Sequence, residues 1–308
     1  MQIIYQSEIK NFPPCIATVG FFDGLHAGHR FLIEELKAIA KRKSLKSVVI
    51  TFAIHPRKVL NSDFQPELLT TLQEKLVQLE SMAIDMCVVL DFSLQMAILT
   101  ASEFLETVLK EQFNVHTLLV GHDHRFGHNR LDGFPEYKKY GEAIGMDVIL
   151  ASRYNTVTDQ HISSSEIRNA LKRGDIECAN RLLTYKYSIQ GKVVEGFKIG
   201  RTIGYPTANI ELSDPEKLIP ATGVYAVRVM WNHQRFKGML NIGYRPTLDN
   251  GLNTTIEVHI IGFDEDIYNQ TLEIAFICKI RDEQKFTGIE KLKEQLSRDK
   301  IYVMGLPE

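Results

Sequence analysis

Val19-Gly-Phe-Phe-Asp-Gly-Leu-His-Ala-Gly-His29 decides how the first half of this chain is read. It leaves an apolar run, Cys15 to Val19, passes two glycines and enters a segment where Phe31, Leu32, Leu36, Ile39 and Ala40 recur at helical spacing. A strand that turns through glycine into a helix presents backbone N–H groups and the positive end of the helix dipole, both of which favour phosphate. Gly20 and Gly24 let the backbone approach a ligand closely. His26 and His29 stand at i,i+3, so both imidazoles can face one phosphate and donate charge-assisted hydrogen bonds as negative charge builds on it. A pair of surface or capping histidines is the plain alternative. Strand, glycine loop, histidine pair and helix, in that order, favour the phosphate site.

Working outward, β-rich apolar runs alternate with helix-period segments from Pro14 to about Ala151. The candidate strands are Cys15 to Val19, Ser47 to Phe52, Met86 to Leu90, Thr117 to Val120 and Asp147 to Leu150, and Thr100-Ala-Ser-Glu103 is a capping box. The pattern predicts βαβ units, a parallel sheet and an α/β, Rossmann-like nucleotide-binding domain. The second half differs. Gly223 to Met230, Thr255 to Ile261 and Leu272 to Ile277 alternate apolar and polar residues, which predicts an antiparallel sheet or small β-barrel. Ile289 to Arg298, with Leu292 and Leu296 among charges, predicts a terminal amphipathic helix. The boundary is expected near Thr184, giving domains 1–184 and 185–308.

At 308 residues the chain has room for two domains of the usual ~150 residues. Its 36 Lys+Arg and 38 Asp+Glu leave a net charge of −2, so no bulk field exists to hold nucleic acid or an anionic membrane. Any anionic small-molecule substrate must be gripped locally. No long apolar run or basic leader appears, and four scattered cysteines without a C-x-x-C fit reduced thiols, so a cytoplasmic protein is expected.

Four further constellations bear on chemistry. Arg57, after the second strand, and Arg168 are suited to bidentate phosphate contact. Ser164 and Ser165 can donate to phosphate oxygens at a helix start, although Ser163-x-x-Glu166 also reads as a capping box with no ligand. Gly196-Phe-Lys-Ile-Gly-Arg-Thr-Ile-Gly-Tyr-Pro-Thr-Ala-Asn209 is either a loop around phosphates or a Gly/Pro turn region. In an extended segment Thr207 and Asn209 point the same way, and their oxygens suit Mg²⁺. No Walker loop is present. Glu257 alternates with Ile256, Val258 and Ile260, which should face the core, leaving an acid on the polar face of a barrel mouth, as a general base or a solvated strand residue.

These segments resemble one family throughout. Gly20 to His29 is similar to the flavin branch of the H-x-G-H nucleotidyltransferases, G-x-F-D-G-x-H-x-G-H, and implies ATP or phosphate contacts at Gly20, Phe21, Asp23 and Gly24. Thr51-Phe-Ala-Ile-His-Pro-Arg57 and Ile162-Ser-Ser-Ser-Glu-Ile-Arg168 resemble its T-F-x-x-H-P-R and I-S-S-T-x-I-R. Gly121-His-Asp-His-Arg-Phe-Gly127 resembles G-x-D-F-R-F-G, with Asp123 in place and His124 where Phe is usual. His122, His124 and His128 would suit a metal cluster only with further ligands, which the sequence does not supply. The second glycine-rich segment is similar to the riboflavin kinase signature G-x-x-x-G-R-x-x-G-F-P-T-A-N, implying phosphate contacts at Gly200 and Arg201, with Tyr205 for Phe. Thr255-Ile-Glu-Val-His259 carries the family's acidic base onto Glu257. Arg281-Asp-Glu-Gln-Lys-Phe286 resembles R-x-E-x-K-F and implies that Arg281 and Phe286 lie near the flavin. The resemblance to the bacterial bifunctional riboflavin kinase/FAD synthetases implies riboflavin, FMN and ATP as substrates, FAD as product and Mg²⁺ as cofactor. Catalytic roles fall on His26, His29, Arg168 and Glu257.

Overall fold

A computed structural model describes the chain except residues 7–11, 123, 129–130, 155–161, 197–198, 247–251 and 308, with backbone alone at 199, 245–246 and 252–253. Two compact units result, Met1–Ser163 and Ser164–Glu308.

In the first unit, strands β1 (Gln2–Tyr5), β2 (Cys15–Val19), β3 (Lys46–Phe52), β4 (Met86–Leu90), β5 (Val115–Val120) and β6 (Asp147–Leu150) form a parallel sheet in the order β1-β4-β3-β2-β5-β6. Helices α1 (Ala27–Lys43), α2 (Pro56–Leu60), α3 (Leu72–Ser81), α4 (Leu94–Ala97), α5 (Ala101–Glu103) and α6 (Phe134–Ala143) run between them. The capping box at Thr100 and Glu103 is present, but the helix it opens winds as a π-helix over Phe104–Gln112. Strands buried on both faces read as unbroken apolar runs because neither face meets water. Cys15, Ala17, Val48, Ile50 and Val88 pack with Phe104 and Tyr137 on one side. Ile16, Val49, Cys87 and Val89 pack with Leu36 of α1 and Leu76 of α3 on the other. β1 escapes sequence reading because it is a four-residue edge strand, mostly exposed, paired among the described residues only to β4.

The strand order reverses at β2, which pairs with β3 on one side and β5 on the other. Doubly wound sheets bind ligands in the crevice beyond the carboxyl ends of such strands. Val19 and Val120 end there, and the histidine-bearing segments follow both.

The second unit opens with α7 (Ser164–Lys172) and α8 (Ile176–Leu183), followed by strands β7 (Ser188–Val194), β8 (Ala208–Leu212), β9 (Gly223–Trp231), β10 (Gln234–Pro246), β11 (Leu252–Ile260) and β12 (Thr271–Arg281), with α9 (Ile199–Thr202) between β7 and β8 and α10 (Ile289–Gly305) last. The strands close an antiparallel barrel, β10-β11-β8-β7-β12-β9. Asn180 of α8 ties the helix pair to it: its Nδ2 donates to the Phe276 carbonyl at 3.0 Å and its Oδ1 accepts from Tyr187 N at 2.7 Å. Alternation sends Tyr225, Val227, Leu240, Val258 and Phe276 inward, all fully buried. Ala226, Met239 and Cys278 face outward under Val303 and Leu296 of α10.

α10 is also held by charge. Arg281 on β12 reaches Asp299, which is 2% exposed, with N···O distances of 2.9 and 3.0 Å, and Gln295 Nε2 donates to the same carboxylate at 2.8 Å. Removing one partner of a buried pair strands the other charge. Asp299→Ala is therefore expected to destabilise the second unit by about 3 kcal/mol. Urea unfolding followed by the fluorescence of Trp231, the only tryptophan in the sequence, would measure it.

Candidate active sites

The first site is built on the turn after β2. Asp23, buried, accepts backbone N–H bonds from Leu69 and Thr70, each at 3.0 Å, and Gly24 N donates to Thr70 Oγ1 at 3.0 Å. This pins the loop to the segment before α3. Gly24 sits at φ 79°, a conformation in which a side chain is strained. Phe22 adopts φ 52°, ψ 39°, also left-handed, and an aromatic residue there costs on the order of 1–3 kcal/mol. Such strain persists only where the surroundings fix it: Phe22 is buried and its ring lies 5.2 Å from His29.

His26 caps α1, its Nδ1 accepting from His29 N at 3.4 Å, so the proton of the neutral ring is on Nε2. The two rings stack at 3.7 Å and 17°. The i,i+3 spacing thus does place both imidazoles side by side. His29 Nδ1 is enclosed without a hydrogen-bond partner among the described residues. Burial chiefly, and then the nearby His26, Lys75 and His124, hold the His29 pKa well below the usual histidine range. His29 is therefore neutral at pH 7, and His124, from the segment after β5, comes close enough to act on it electrostatically.

Phe21 and Gly20 lie in the same loop. The Phe21 ring is 4.6 Å from the His55 ring, and His55 caps α2 by accepting from Arg57 N at 3.1 Å. Arg57 itself is exposed, its guanidinium 5.9 Å over Phe64. Asp123 lies outside the described residues. Ser164, Ser165 and Arg168 stand on α7, in the second compact unit. Lys75 is the residue that sequence reading missed. It is 1% exposed, and its Nζ donates to Thr51 Oγ1 at 3.3 Å and lies 3.9 Å over the Phe21 ring. The signal was available: on α3 it shares the apolar stripe of Leu72, Leu76 and Leu79, where a lysine has no solvent to reach. Among the described residues no three His, Cys, Asp or Glu are grouped to hold a metal.

The second site lies on the barrel. Glu257 on β11 is directly opposite Asn209 on β8 and Asn241 on β10, so all three share one face. Ile256, Val258 and Ile260 are buried on the other. The polar face is the outer one, continuing from Met239 and His259. His259 Nδ1–H donates to the Pro206 carbonyl at 2.8 Å and so ties the segment carrying Thr207 to β11. A Cβ on Gly196 would lie 2.0 Å from Asn209 Nδ2, so only glycine allows that amide its place. Thr207, exposed, precedes β8, and Gly200 and Arg201 lie on α9, with Arg201 6.0 Å over Tyr268. Glu283 adds an acid beside this row, its Oε1 accepting from Asn241 Nδ2 at 3.3 Å. Arg281, committed to Asp299, lies 5.7 Å over Phe286.

A parallel sheet with a histidine pair at its switch point, joined to a closed antiparallel barrel, defines a nucleotidyltransferase fold followed by a kinase-type barrel. A family model described as FAD synthetase matches residues 8–166, and one described as riboflavin kinase matches residues 183–305. The bifunctional riboflavin kinase/FMN adenylyltransferase of Escherichia coli K12 is 35% identical over 93% of this chain and 91% of its own length. That of Bacillus subtilis is 36% identical over 92% and 90%. A solved structure from Streptococcus pneumoniae, described as a macrolide-efflux protein, superposes with a TM-score of 0.91 at 31% identity, covering all of both chains. Among the described residues of this chain, no helix is long and apolar enough to cross a membrane. The chain belongs to the bifunctional riboflavin kinase/FMN adenylyltransferase family.

Proposed function

We propose that the two activities of this family are divided at residue 184/185: FMN adenylylation by residues 1–184 and riboflavin phosphorylation by residues 185–308. One observation carries the division. The stacked His26 and His29 lie in one compact unit and the Asn209–Glu257 pair in the other, which supports separate sites; the units themselves part at 163/164, and the choice of 184/185 follows the start of the riboflavin kinase match at residue 183.

In the barrel, the 5′-hydroxyl of riboflavin attacks the γ-phosphate of ATP to give FMN and release ADP. A neutral hydroxyl is a poor nucleophile, and Glu257 takes its proton. Asn209 and Thr207 offer the hard oxygen donors that Mg²⁺ prefers, and Glu257 beside them adds negative charge, so the donor set fits that ion. Bound there, Mg²⁺ would neutralise phosphate charge. Gly200 and Arg201 face the phosphates, and Arg281 and Phe286 border the flavin.

In the α/β unit, the phosphate of FMN attacks the α-phosphate of a second ATP, forming FAD and releasing pyrophosphate. The nucleophile is already anionic, so positioning and charge neutralisation suffice. His26 and His29 donate to the reacting phosphates, Gly20 to Gly24 bring backbone N–H groups close, and Arg57 stands on the short helix that follows; for Asp123, Ser164, Ser165 and Arg168 the support is the motif resemblance alone. Asp23 acts by fixing the loop. The substrates are small molecules, and with four unpaired cysteines the protein works in the cytoplasm.

With riboflavin and ATP the purified chain is expected to yield FMN and then FAD; with FMN and ATP it is expected to yield FAD and pyrophosphate. Chromatography of the flavins tests both steps. Formation of FMN without FAD from either mixture would leave only the kinase, and absence of both nucleotides would end the reading.

A further inference from the structure

A lysine enclosed in an α/β core is costly unless its charge is used, because taking an ammonium out of water costs several kcal/mol. Lys75 is enclosed by polar and charged groups from each element around it. Thr51 is the last residue but one of β3, Asp23 lies in the turn after β2, His29 stands on α1, and the Cys87 thiol, on β4, is held protonated by burial, its pKa raised to about 12. A leucine would fill the same place on α3 without the penalty.

The contacts of the ammonium lead to the phosphate site. Thr51 Oγ1, which accepts from Lys75, itself donates to the Phe21 carbonyl at 3.2 Å, and the Phe21 ring lies under Nζ. Phe21 then touches His55, the cap of the short helix carrying Arg57. One buried charge thus grips the glycine loop by backbone and by ring, and the ring in turn meets the cap of the helix carrying Arg57. Thr51 is the ammonium's only hydrogen-bond acceptor among the described residues, although an ammonium has three N–H donors. On the functional reading above, we infer that Lys75 is a positioning residue for adenylyl transfer, holding the Gly20–Asp23 loop and setting a fixed positive charge behind the two imidazoles.

The charge is titratable. Burial, which outweighs the opposing pull of Asp23, lowers the Lys75 pKa to about 8. A lowered lysine pKa means that the charge is present below about pH 8 and is lost as the pH rises through it.

The test uses the full chain and measures FAD formation from FMN and ATP, with FMN formation from riboflavin in the same preparation as internal control. Lys75→Met is expected to lower kcat/KM for FAD formation about a hundredfold, largely through KM for ATP, and to leave FMN formation within about twofold. Lys75→Arg, whose charge survives to high pH, is expected to recover most of that loss. Wild type should lose FAD-forming activity above about pH 8, and Lys75→Arg should not. Hydrogen exchange of the β2 and β3 amides reports whether the first unit is folded in each variant. Near-wild-type FAD formation by Lys75→Met would overturn the inference, as would an alkaline limb that persists in Lys75→Arg or an Arg variant that fails to fold or to recover. If wild type itself forms no FAD, the functional reading fails rather than this inference.

Discussion

Replacing His29 with alanine is expected to lower FAD formation from FMN and ATP by roughly 10²–10³-fold, the usual effect of removing one preorganised donor to a developing charge, while riboflavin phosphorylation by the same polypeptide continues at its normal rate. The structure gives a reason for so large an effect. His29 is neutral at pH 7 because burial chiefly, and then the nearby His26, Lys75 and His124, hold its pKa down. An approaching phosphate brings the negative charge that the pocket lacks, which favours the protonated or proton-sharing ring at the moment charge builds. A surface histidine would be protonated and solvated in proportion to pH, and its loss would cost little. His29→Asn, which keeps a donor but not the titration, should retain more activity than alanine and should flatten the acid side of the pH profile. The measurement is paired flavin analysis. Loss of both products in a folded variant would show that the two sites are not separate.

The sites were legible in the sequence to different depths. The β2–α1 segment was readable because strand, glycine turn and helix cap each leave a local signature, and all three agree; the stacking of His26 on His29 follows from their spacing. The barrel was readable as alternation, and that alternation put Ile256, Val258 and Ile260 on the buried face with Glu257 opposite. Its closure, and the fact that the polar face is the outer one beneath α10, were not legible. Both depend on strand pairings between distant residues, such as Val224 with Arg281 and Asn209 with Glu257. Lys75 was hidden for a related reason. A lysine between leucines on a helix ordinarily snorkels to water, and only the packing of α3 under the glycine loop removes that exit. Arg281 reads as a ligand group by motif, but its partner Asp299 lies on a helix whose docking no local pattern specifies.

Glu257→Gln is expected to reduce FMN formation from riboflavin by roughly 10²–10⁴-fold, the span general-base removal usually covers, with FAD formation from supplied FMN unchanged. Glutamine keeps the size and an acceptor oxygen, so the row with Asn209 and Asn241 is preserved while the capacity to take a proton and the negative charge are lost. That makes it a sharper probe than alanine, which would also open space beside Asn209. The geometry excludes a packing explanation in advance: Glu257 stands on the outer face of β11, while the barrel interior beneath it is filled by Ile256 and Val258. Thermal stability of the second unit, followed through Trp231, should therefore move little. Asn209→Ala should behave differently, raising KM for ATP more than it lowers kcat, because the amide serves the phosphates rather than the hydroxyl. If Glu257→Gln phosphorylates riboflavin normally while remaining folded, the proton leaves by another route. Glu283, within 3.3 Å of Asn241, is then the acid to replace next.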